Sequence, residues 1–565
     1  MHIKAVLYDV GRDQGGREEF YENLIVRLAD YGYNMLILNI EYRFHFSSHP
    51  EIAMPDSLTP DAVRRLDKIT KEHNMQLVPC MNCAGHCDGI GMTDRYNSLC
   101  AKDNDNDRGV EQLRINLPEA EQFMLELYAD LYECFSSKYF LVGGDEIRRL
   151  EMLYPKLAPE QRMQEAILYL NRIIADVKVH GKTPMMWGDM LVKYPAVMEL
   201  LDKDVVVCDW AYFSSPATKS VSNKETLSFF KKEGYRTIFA DSVCTFMANP
   251  LLCDNATMNI VYGTNEYNEV FEHQGEGVIT TIWEIQYGGC FDVIWPWLYL
   301  QSCIHKGQKR DYRSFDFLKE YTTKEWGLPE DDNSLERWYQ LVDIGFSKMV
   351  LYEAFLDTNL KPALDENVQR PYKMLRMYFA ELLTNRNILP TINTERTKWM
   401  SPAILNRMEQ LYKEALTLAE SMAERAIMRK EESRHLLQYN HVLLAVTKLV
   451  GLEAKLESTY HRAAQLQFID ADGFRQCIKE LQEIYLEMAD CMDVCANWYE
   501  VLHREENYAA DVCIMPPLAA ADLRIRAENI KKIAESRVPL VQYQRYIRRD
   551  SDLPMMRHIR RTTDR

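Results

Sequence analysis

The 565-residue sequence contains no uninterrupted apolar run of about 18 residues, the length a helix needs to cross a bilayer. Its first segment, MHIKAVLYDV, lacks the basic start, long apolar stretch and small-residue cleavage site of an export signal. The expectation is a soluble cytoplasmic protein with no membrane partner. Basic residues are in deficit: 67 Lys and Arg against 84 Asp and Glu leave a net charge of −17, a field that repels phosphate backbones and anionic lipid. Nucleic acid is therefore not an expected partner. The glycine-rich GRDQGGRE has neither the Gly-Lys-Ser/Thr nor the spacing of a phosphate loop. A dense disulfide framework is missing too, since the fourteen cysteines are scattered through apolar segments and read as buried thiols of a reducing compartment. What the chain does have is 47% apolar and 27% charged residues. That composition can bury a sizeable core and excludes a disordered or collagen-like chain. The length allows two or three domains.

Up to about residue 305, short apolar runs alternate with longer amphipathic ones, the pattern of repeated βα units around a parallel sheet. The runs are KAVLYDV from Lys4, NMLILNI from Asn34, QLVPCM from Gln76, KYFLVGG from Lys138, PMMWGD from Pro184, DVVVCDW from Asp204, RTIFAD from Arg236 and GVITTIW from Gly277. Helical candidates such as REEFYENLIVRLADYG, TPDAVRRLDKITKEHN and PEQRMQEAILYLNRIIADVKVHG lie between them, with Thr-Pro at an opening and Gly or Asn at the ends. The spacing predicts an α/β fold, a (β/α)8 TIM barrel over 1–305. From 306 to 565 strand-like runs vanish and long amphipathic stretches predict an all-α C-terminal domain, without a fixed repeat or sustained heptads.

Barrel chemistry sits at the C-terminal strand ends. The predicted strands end in Asp9 and Arg12, Glu41 and Tyr42, Asn82 and His86, Asp145 and Glu146, Trp187 and Asp189, Trp210 and Tyr212, Asp241, and Trp283 and Glu284. Carboxylates, one arginine and three tryptophans on one face describe a sugar pocket, in which aromatic faces take the apolar side of a ring and charged groups hold hydroxyls. In Gly143-Gly144-Asp145-Glu146 the glycines permit close backbone approach and two adjacent carboxyls follow. Their titrations should couple, with one proton held to higher pH, which suits a general acid. As a structural alternative, an acidic pair after a strand can serve as a helix N-terminal charge.

In its context this tetrapeptide resembles the acidic pair of the family 20 glycoside hydrolases, the β-N-acetylhexosaminidases. YDVGR, with Asp9 and Arg12, is similar to the Asp-x-x-Arg of that family's first strand. NMLILNIEYRF and LVPCMNCAGH resemble the second and third strands of the subgroup with a helical C-terminal domain. MMWGDM, CDWAYFS and IWEIQYGGCFDVIWPWLYL resemble its fifth, sixth and eighth strand segments. The resemblance implies a retaining exo-β-N-acetylhexosaminidase that needs no metal or cofactor and removes terminal β-linked GlcNAc or GalNAc from an oligosaccharide or glycoconjugate, with the substrate's own 2-acetamido group as nucleophile. It implies that Asp145 orients that group and stabilises an oxazolinium intermediate, and that Glu146 is general acid and then base. The same resemblance gives substrate-binding roles to Arg12, Asp9, Glu41, His86, Trp187, Asp189, Trp210, Tyr212, Trp283 and Glu284, with His86 orienting other groups.

The chain departs from the pattern at three places. Leu141 stands where the family often has His, the acetamido-binding tyrosine of the seventh strand is not identifiable and Tyr212 is its candidate substitute, and the eighth-strand carboxylate is displaced to Glu284. Two other readings therefore stay open: a glycosidase specific for a modified N-acetylhexosamine, and a sugar-binding barrel without turnover. CMNCAGHC offers Cys80, Cys83, His86 and Cys87 as zinc ligands, but adjacent His86 and Cys87 suit one tetrahedral ion poorly and Cys80 lies inside an apolar strand, so no metal is expected. Cys491 and Cys495, one turn apart, read as a packed helix face. The apolar stripes of the helical half must be covered, by the barrel or in a homodimer.

Overall fold

The computed structural model describes residues 2–11, 15–54, 57–103, 106–210, 223–244, 275–283, 291–308, 314–343, 402–505, 510–536 and 539–540. Its strands are β1 (Ile3–Asp9), β2 (Met35–Asn39), β3 (Gln76–Cys80), β4 (Cys100–Asp103), β5 (Asn106–Leu113), β6 (Tyr139–Leu141), β7 (Thr183–Trp187), β8 (Val206–Trp210), β9 (Arg236–Cys244) and β10 (Gly277–Ile282). Eight of them close a parallel barrel in the order β1-β10-β9-β8-β7-β6-β3-β2, and β4 and β5 pair separately as an antiparallel ribbon. The barrel strands are those the apolar runs predict. The ribbon is not, because its sequence, KDNDNDRGV, is too polar to show a strand pattern.

Alternate residues of each strand fill the barrel, among them Leu7, Ile37, Val78, Leu141, Met185 and Ile279. Those between them, such as Val6, Leu36, Leu77, Val207 and Val278, are buried on the outer face. Burial on both faces explains why the strands read as continuous apolar runs rather than as alternation. The intervening helices follow their end signals. The helix Glu18–Tyr31 stops at Gly32, which takes a left-handed φ of 92°. The helix Pro60–Glu72 is opened by Thr59, whose hydroxyl accepts the Ala62 N–H at 3.2 Å, with Pro60 at the first position.

Asp241 corrects the expected strand ends. β9 runs on to Cys244, so Asp241 lies within the strand and not at its mouth, and its parity is opposite to that of inward-facing Ile238 and Ala240. It is buried under the helix Trp295–His305, where Gln301 Nε2 donates to its Oδ2 at 2.9 Å. Burial pushes its carboxyl up to about 8, against the opposing hydrogen bonds of Thr280 and Gln301. The native pKa exceeds the ordinary 3.8, so the unfolded state releases this proton first and stability falls as pH rises from about 4 to about 8. Asp241→Asn should therefore raise Tm at pH 8 and leave it nearly unchanged at pH 4. An equal change at both pH values in thermal melts would contradict a protonated native carboxyl.

By contacts the chain forms two compact units, the barrel and a helical unit that takes in residues 291–296 and everything described from Ser314 on. The helical unit contains long helices at Pro402–Arg425, Lys430–Leu466, Ala471–Glu505 and Ala510–Glu535. In the first, Met408, Tyr412, Ala415, Ala419 and Met422 are buried at helical spacing. Cys491 and Cys495 lie on the buried stripe of the third. Among the buried polar groups of this unit, Trp338 Nε1 donates to Asn440 Oδ1 at 3.0 Å, and Asn440 Nδ2 donates to the Tyr412 carbonyl at 2.9 Å.

Candidate active site

The acidic pair sits where β6 opens. Although β6 is three residues long, its ladder continues: Val142 N–H donates to the Met185 carbonyl and Trp187 N–H to the Gly143 carbonyl, both at 2.9 Å. Gly143 has φ +74°, and a Cβ there would lie 2.2 Å from Asn82 Oδ1, so only glycine fits. Gly85 is needed for a similar reason, since its Cβ would come within 2.7 Å of the Asp145 carbonyl. These two close approaches bring the loop after β3 against the acidic pair.

His86 consequently reaches both carboxylates. Its Nε2 lies 3.0 Å from Glu146 Oε2 and 3.5 Å from Asp145 Oδ2. Glu41, His86 and Glu146 all take left-handed φ values, 45°, 53° and 44°, at the mouth of the barrel. Such backbones cost about 1–3 kcal/mol each in non-glycine residues and persist where surrounding contacts fix them. One fixing contact is visible at Glu146, whose N–H donates to Asp189 Oδ2 at 3.0 Å.

On the other side of the mouth, Asn39 Nδ2 bridges Asp9 Oδ1 at 2.8 Å and Glu41 Oε1 at 3.1 Å. Beneath them the Cys80 thiol is pushed well above its ordinary range, first by burial and then by the charges of Asp145, Glu41 and Asp9. Cys83 is pushed up to about 12 by burial. Burial thus keeps both thiols protonated, and among the described residues no three His, Cys, Asp or Glu side chains are placed to hold a metal.

The titration pattern differs from the expected one. Burial alone would raise Glu146, but hydrogen bonds and charge from His86 and Arg148 hold it down at about 2; Arg148 Nη2 lies 2.5 Å from the same Oε2. The carboxyl pushed up, to about 7, is Asp189, through burial first and the charge of Asp145 second, against the Glu146 N–H. Asp189, outside the adjacent pair, is therefore a group that keeps its proton towards neutral pH. Arg148 is fixed in turn by Gln112 at the end of the ribbon, whose Oε1 accepts the Arg148 N–H at 3.1 Å.

Of the tryptophans, Trp187 is 2% exposed within the barrel core, while Trp210 and Trp283 are partly buried against that core. Leu141, in place of a histidine, points into the same core. Arg12, Tyr212 and Glu284 lie outside the described residues. Sequence reasoning missed Asn39, Gln112 and Arg148. Arg148 alone left a signal, a cation two residues after the acidic pair.

The fold is thus a closed parallel β/α barrel whose strand ends bring acidic side chains together at one mouth. Residues 42–276 match the model described as "Glycosyl hydrolase family 20, catalytic domain", and the chain is related to that family. A lacto-N-biosidase of Bifidobacterium bifidum is 25% identical over 203 residues, which are 34% of this chain and 18% of that protein. Among solved structures, a family 20 exo-β-N-acetylglucosaminidase from Vibrio harveyi aligns with TM-score 0.45 at 14% identity over 57% of each chain. A β-N-acetylhexosaminidase from Bacteroides fragilis aligns with TM-score 0.44 at 14% identity over 57% of this chain and 70% of its own. The chain thus spans under a fifth of the curated relative's length and a little over half of the Vibrio protein's. Among the described residues no helix is long and apolar enough to cross a membrane.

Proposed function

We infer that the protein is a retaining exo-β-N-acetylhexosaminidase acting on terminal β-linked GlcNAc or GalNAc by substrate-assisted catalysis. The observation that carries this reading is the pair Asp145 and Glu146 at the C-terminal mouth of a barrel that matches the family 20 catalytic domain. A retaining glycosidase needs a nucleophile, a proton donor for the leaving oxygen and a base for water. In this reading the 2-acetamido oxygen is the nucleophile and attacks C1. Asp145 holds the acetamido N–H and offsets the positive charge that develops, while Trp210 and Trp283 wall the group against C1. Glu146 protonates the leaving oxygen and then takes a proton from water, with His86 orienting its carboxyl. Asp9, held by Asn39, is placed to accept sugar hydroxyls, with Arg12, Glu41 and Glu284 as further candidates. Trp187, Asp189 and Tyr212 complete the proposed set. No metal or cofactor enters any of these steps.

The test is release of an aryl leaving group from β-GlcNAc, β-GalNAc and β-glucose derivatives. Turnover confined to the N-acetylated sugars is expected, because glucose carries no internal nucleophile. Equal turnover of the glucoside would overturn substrate assistance. Silence on all three by folded protein would shift the reading to a modified N-acetylhexosamine or to a sugar-binding barrel, and saturable binding without turnover would identify the latter.

A further inference from the structure

Glu41 and His86 lie in the loops that follow β2 and β3, both on left-handed backbones, φ 45° and 53°. Such backbones persist only where neighbouring contacts hold them. The two loops meet at Gly89, where any Cβ would strike the ring of Tyr42, so only glycine fits. Further out both are fastened by one cluster that the proposed chemistry does not use. His49, from the loop after β2, packs on Phe123 with ring centroids 4.6 Å apart, and its side chain is 13% exposed. Its Nδ1 lies 3.0 Å from the hydroxyl of Tyr96, in the loop after β3, and its Nε2 lies 2.8 Å from Glu126 Oε2 on the helix Pro118–Tyr132. The Tyr96 hydroxyl donates to Glu51 Oε2 at 3.0 Å, and Glu51 is paired with Arg95. Ser48 adds an anchor, its N–H and hydroxyl donating to Asp130 Oδ2 at 2.9 and 2.8 Å.

A tyrosine hydroxyl has one hydrogen. Given to Glu51, it leaves the oxygen to accept from His49 Nδ1, while His49 Nε2 faces a Glu126 carboxylate that hydrogen bonds from Gln122 and His49 hold below its ordinary range. With an N–H on each ring nitrogen, His49 satisfies both neighbours, and Glu126, His49, Tyr96 and Glu51 form one continuous charge-assisted chain from the helix through both loops. From Tyr96 the path back to His86 is short. The Tyr96 N–H donates to the Thr93 carbonyl at 3.0 Å and the Thr93 hydroxyl to the Gly89 carbonyl at 3.1 Å. Asn97 Nδ2 donates to the Gly91 carbonyl at 2.7 Å, and the Gly91 N–H donates at 3.0 Å to the carbonyl of Cys87, which follows His86 in the chain.

We propose that His49 and Tyr96 are positioning residues: by clamping the two loops to each other and to the helix, they hold His86 at Glu146 and so set the efficiency of proton transfer to the leaving oxygen. The inference rests on the hexosaminidase reading and adds to it a support outside the strand ends. His49 and Tyr96 act through His86, whose Nε2 lies 3.0 Å from Glu146 Oε2. Reacting geometry is sensitive to such support, since a misplacement of about 1 Å can cost about 10²-fold. A leaving oxygen that must be protonated feels the loss, and one that is stable as its anion does not.

The experiment measures kcat/KM for wild type, Tyr96→Phe and His49→Gln on two glycosides of the N-acetylhexosamine that wild type accepts, a disaccharide and a nitrophenyl glycoside. Each variant is also made in a His86→Gln background, and thermal melts establish that it is folded. Tyr96→Phe keeps the ring that packs on Phe123, at a centroid distance of 5.0 Å, and loses the hydroxyl. It should lower kcat/KM by about tenfold on the disaccharide and by less than about threefold on the nitrophenyl glycoside. His49→Gln should show the same split. With His86 replaced, neither substitution should add a further loss on the disaccharide, because residues that act through one another are not additive. Equal losses on both substrates, no loss in a folded variant, or a full further loss in the His86→Gln background overturns the inference while the hexosaminidase reading stands. If Tyr96→Phe and His49→Gln both fail to fold, Glu126→Gln, at the exposed end of the chain of hydrogen bonds, gives the same readout. Wild type that hydrolyses no N-acetylhexosaminide overturns the reading itself, and this inference with it.

Discussion

Replacing Asp145 by Asn should lower kcat on β-N-acetylglucosaminides by about 10³-fold or more while leaving the fold intact. Removing one preorganised group from a site of developing charge typically costs about 10²–10³-fold, and here both the orientation of the nucleophile and the offset of a cation are lost together. Asn preserves shape and a hydrogen-bonding carbonyl, so the loss reports charge rather than a cavity. A second consequence follows from the neighbouring carboxyl. Asp189 is raised to about 7 partly by the Asp145 charge, so in Asp145→Asn its titration should move down, and any pH dependence it imposes should shift to lower pH. Substrates with an N-trifluoroacetyl group, whose carbonyl is a poorer nucleophile, should slow the wild type steeply. If Asp145→Asn kept activity within tenfold, the acetamido group would not depend on this residue and the substrate-assisted reading would fall.

The barrel was legible in the sequence because its strands are covered on both faces, so KAVLYDV, NMLILNI and DVVVCDW read as apolar runs bounded by loops. The acidic pair was legible for a different reason: Gly143 must take a positive φ and pass within reach of Asn82, which forces glycine into the sequence next to the carboxyls. What escaped was whatever depends on one loop closing on another. The ribbon Cys100–Leu113 is polar along most of its length, and Gln112 matters because its buried amide accepts the Arg148 N–H, a contact no periodicity encodes. Asn39 could have been any polar strand-end residue until Asp9 and Glu41 were seen to share it. Asp241 was misplaced through parity. It alternates with inward-facing Ile238 and Ala240, so its side chain lies on the outer face of the strand, against the helix behind it. The protonation pattern was the least legible, since adjacency suggested a proton shared between Asp145 and Glu146, whereas two cationic partners keep Glu146 low and burial raises Asp189 instead.

The largest split between substrates should come from Glu146→Gln. For a sugar leaving group, which must be protonated as the bond breaks, kcat/KM should fall by about 10²–10⁴-fold, the range general acid catalysis supplies. For a nitrophenyl leaving group, stable as its anion, kcat/KM should fall by less than about tenfold, because that parameter covers only the steps up to the first irreversible one. The turnover number should still drop for the aryl substrate, since water attacks the intermediate without its base. Azide, which needs no base, should then restore kcat in the variant and have little effect on wild type. The pH profile sharpens the assignment. In the free protein Glu146 is held at about 2 by His86 and Arg148, so the acid form required for sugar leaving groups is scarce near neutrality. The alkaline limb of kcat/KM should therefore be steep for sugar leaving groups, weak for aryl ones, and absent in Glu146→Gln for both. Equal losses across the two leaving-group classes would mean that another group, with Asp189 the nearest carboxyl still protonated towards neutral pH, delivers the proton.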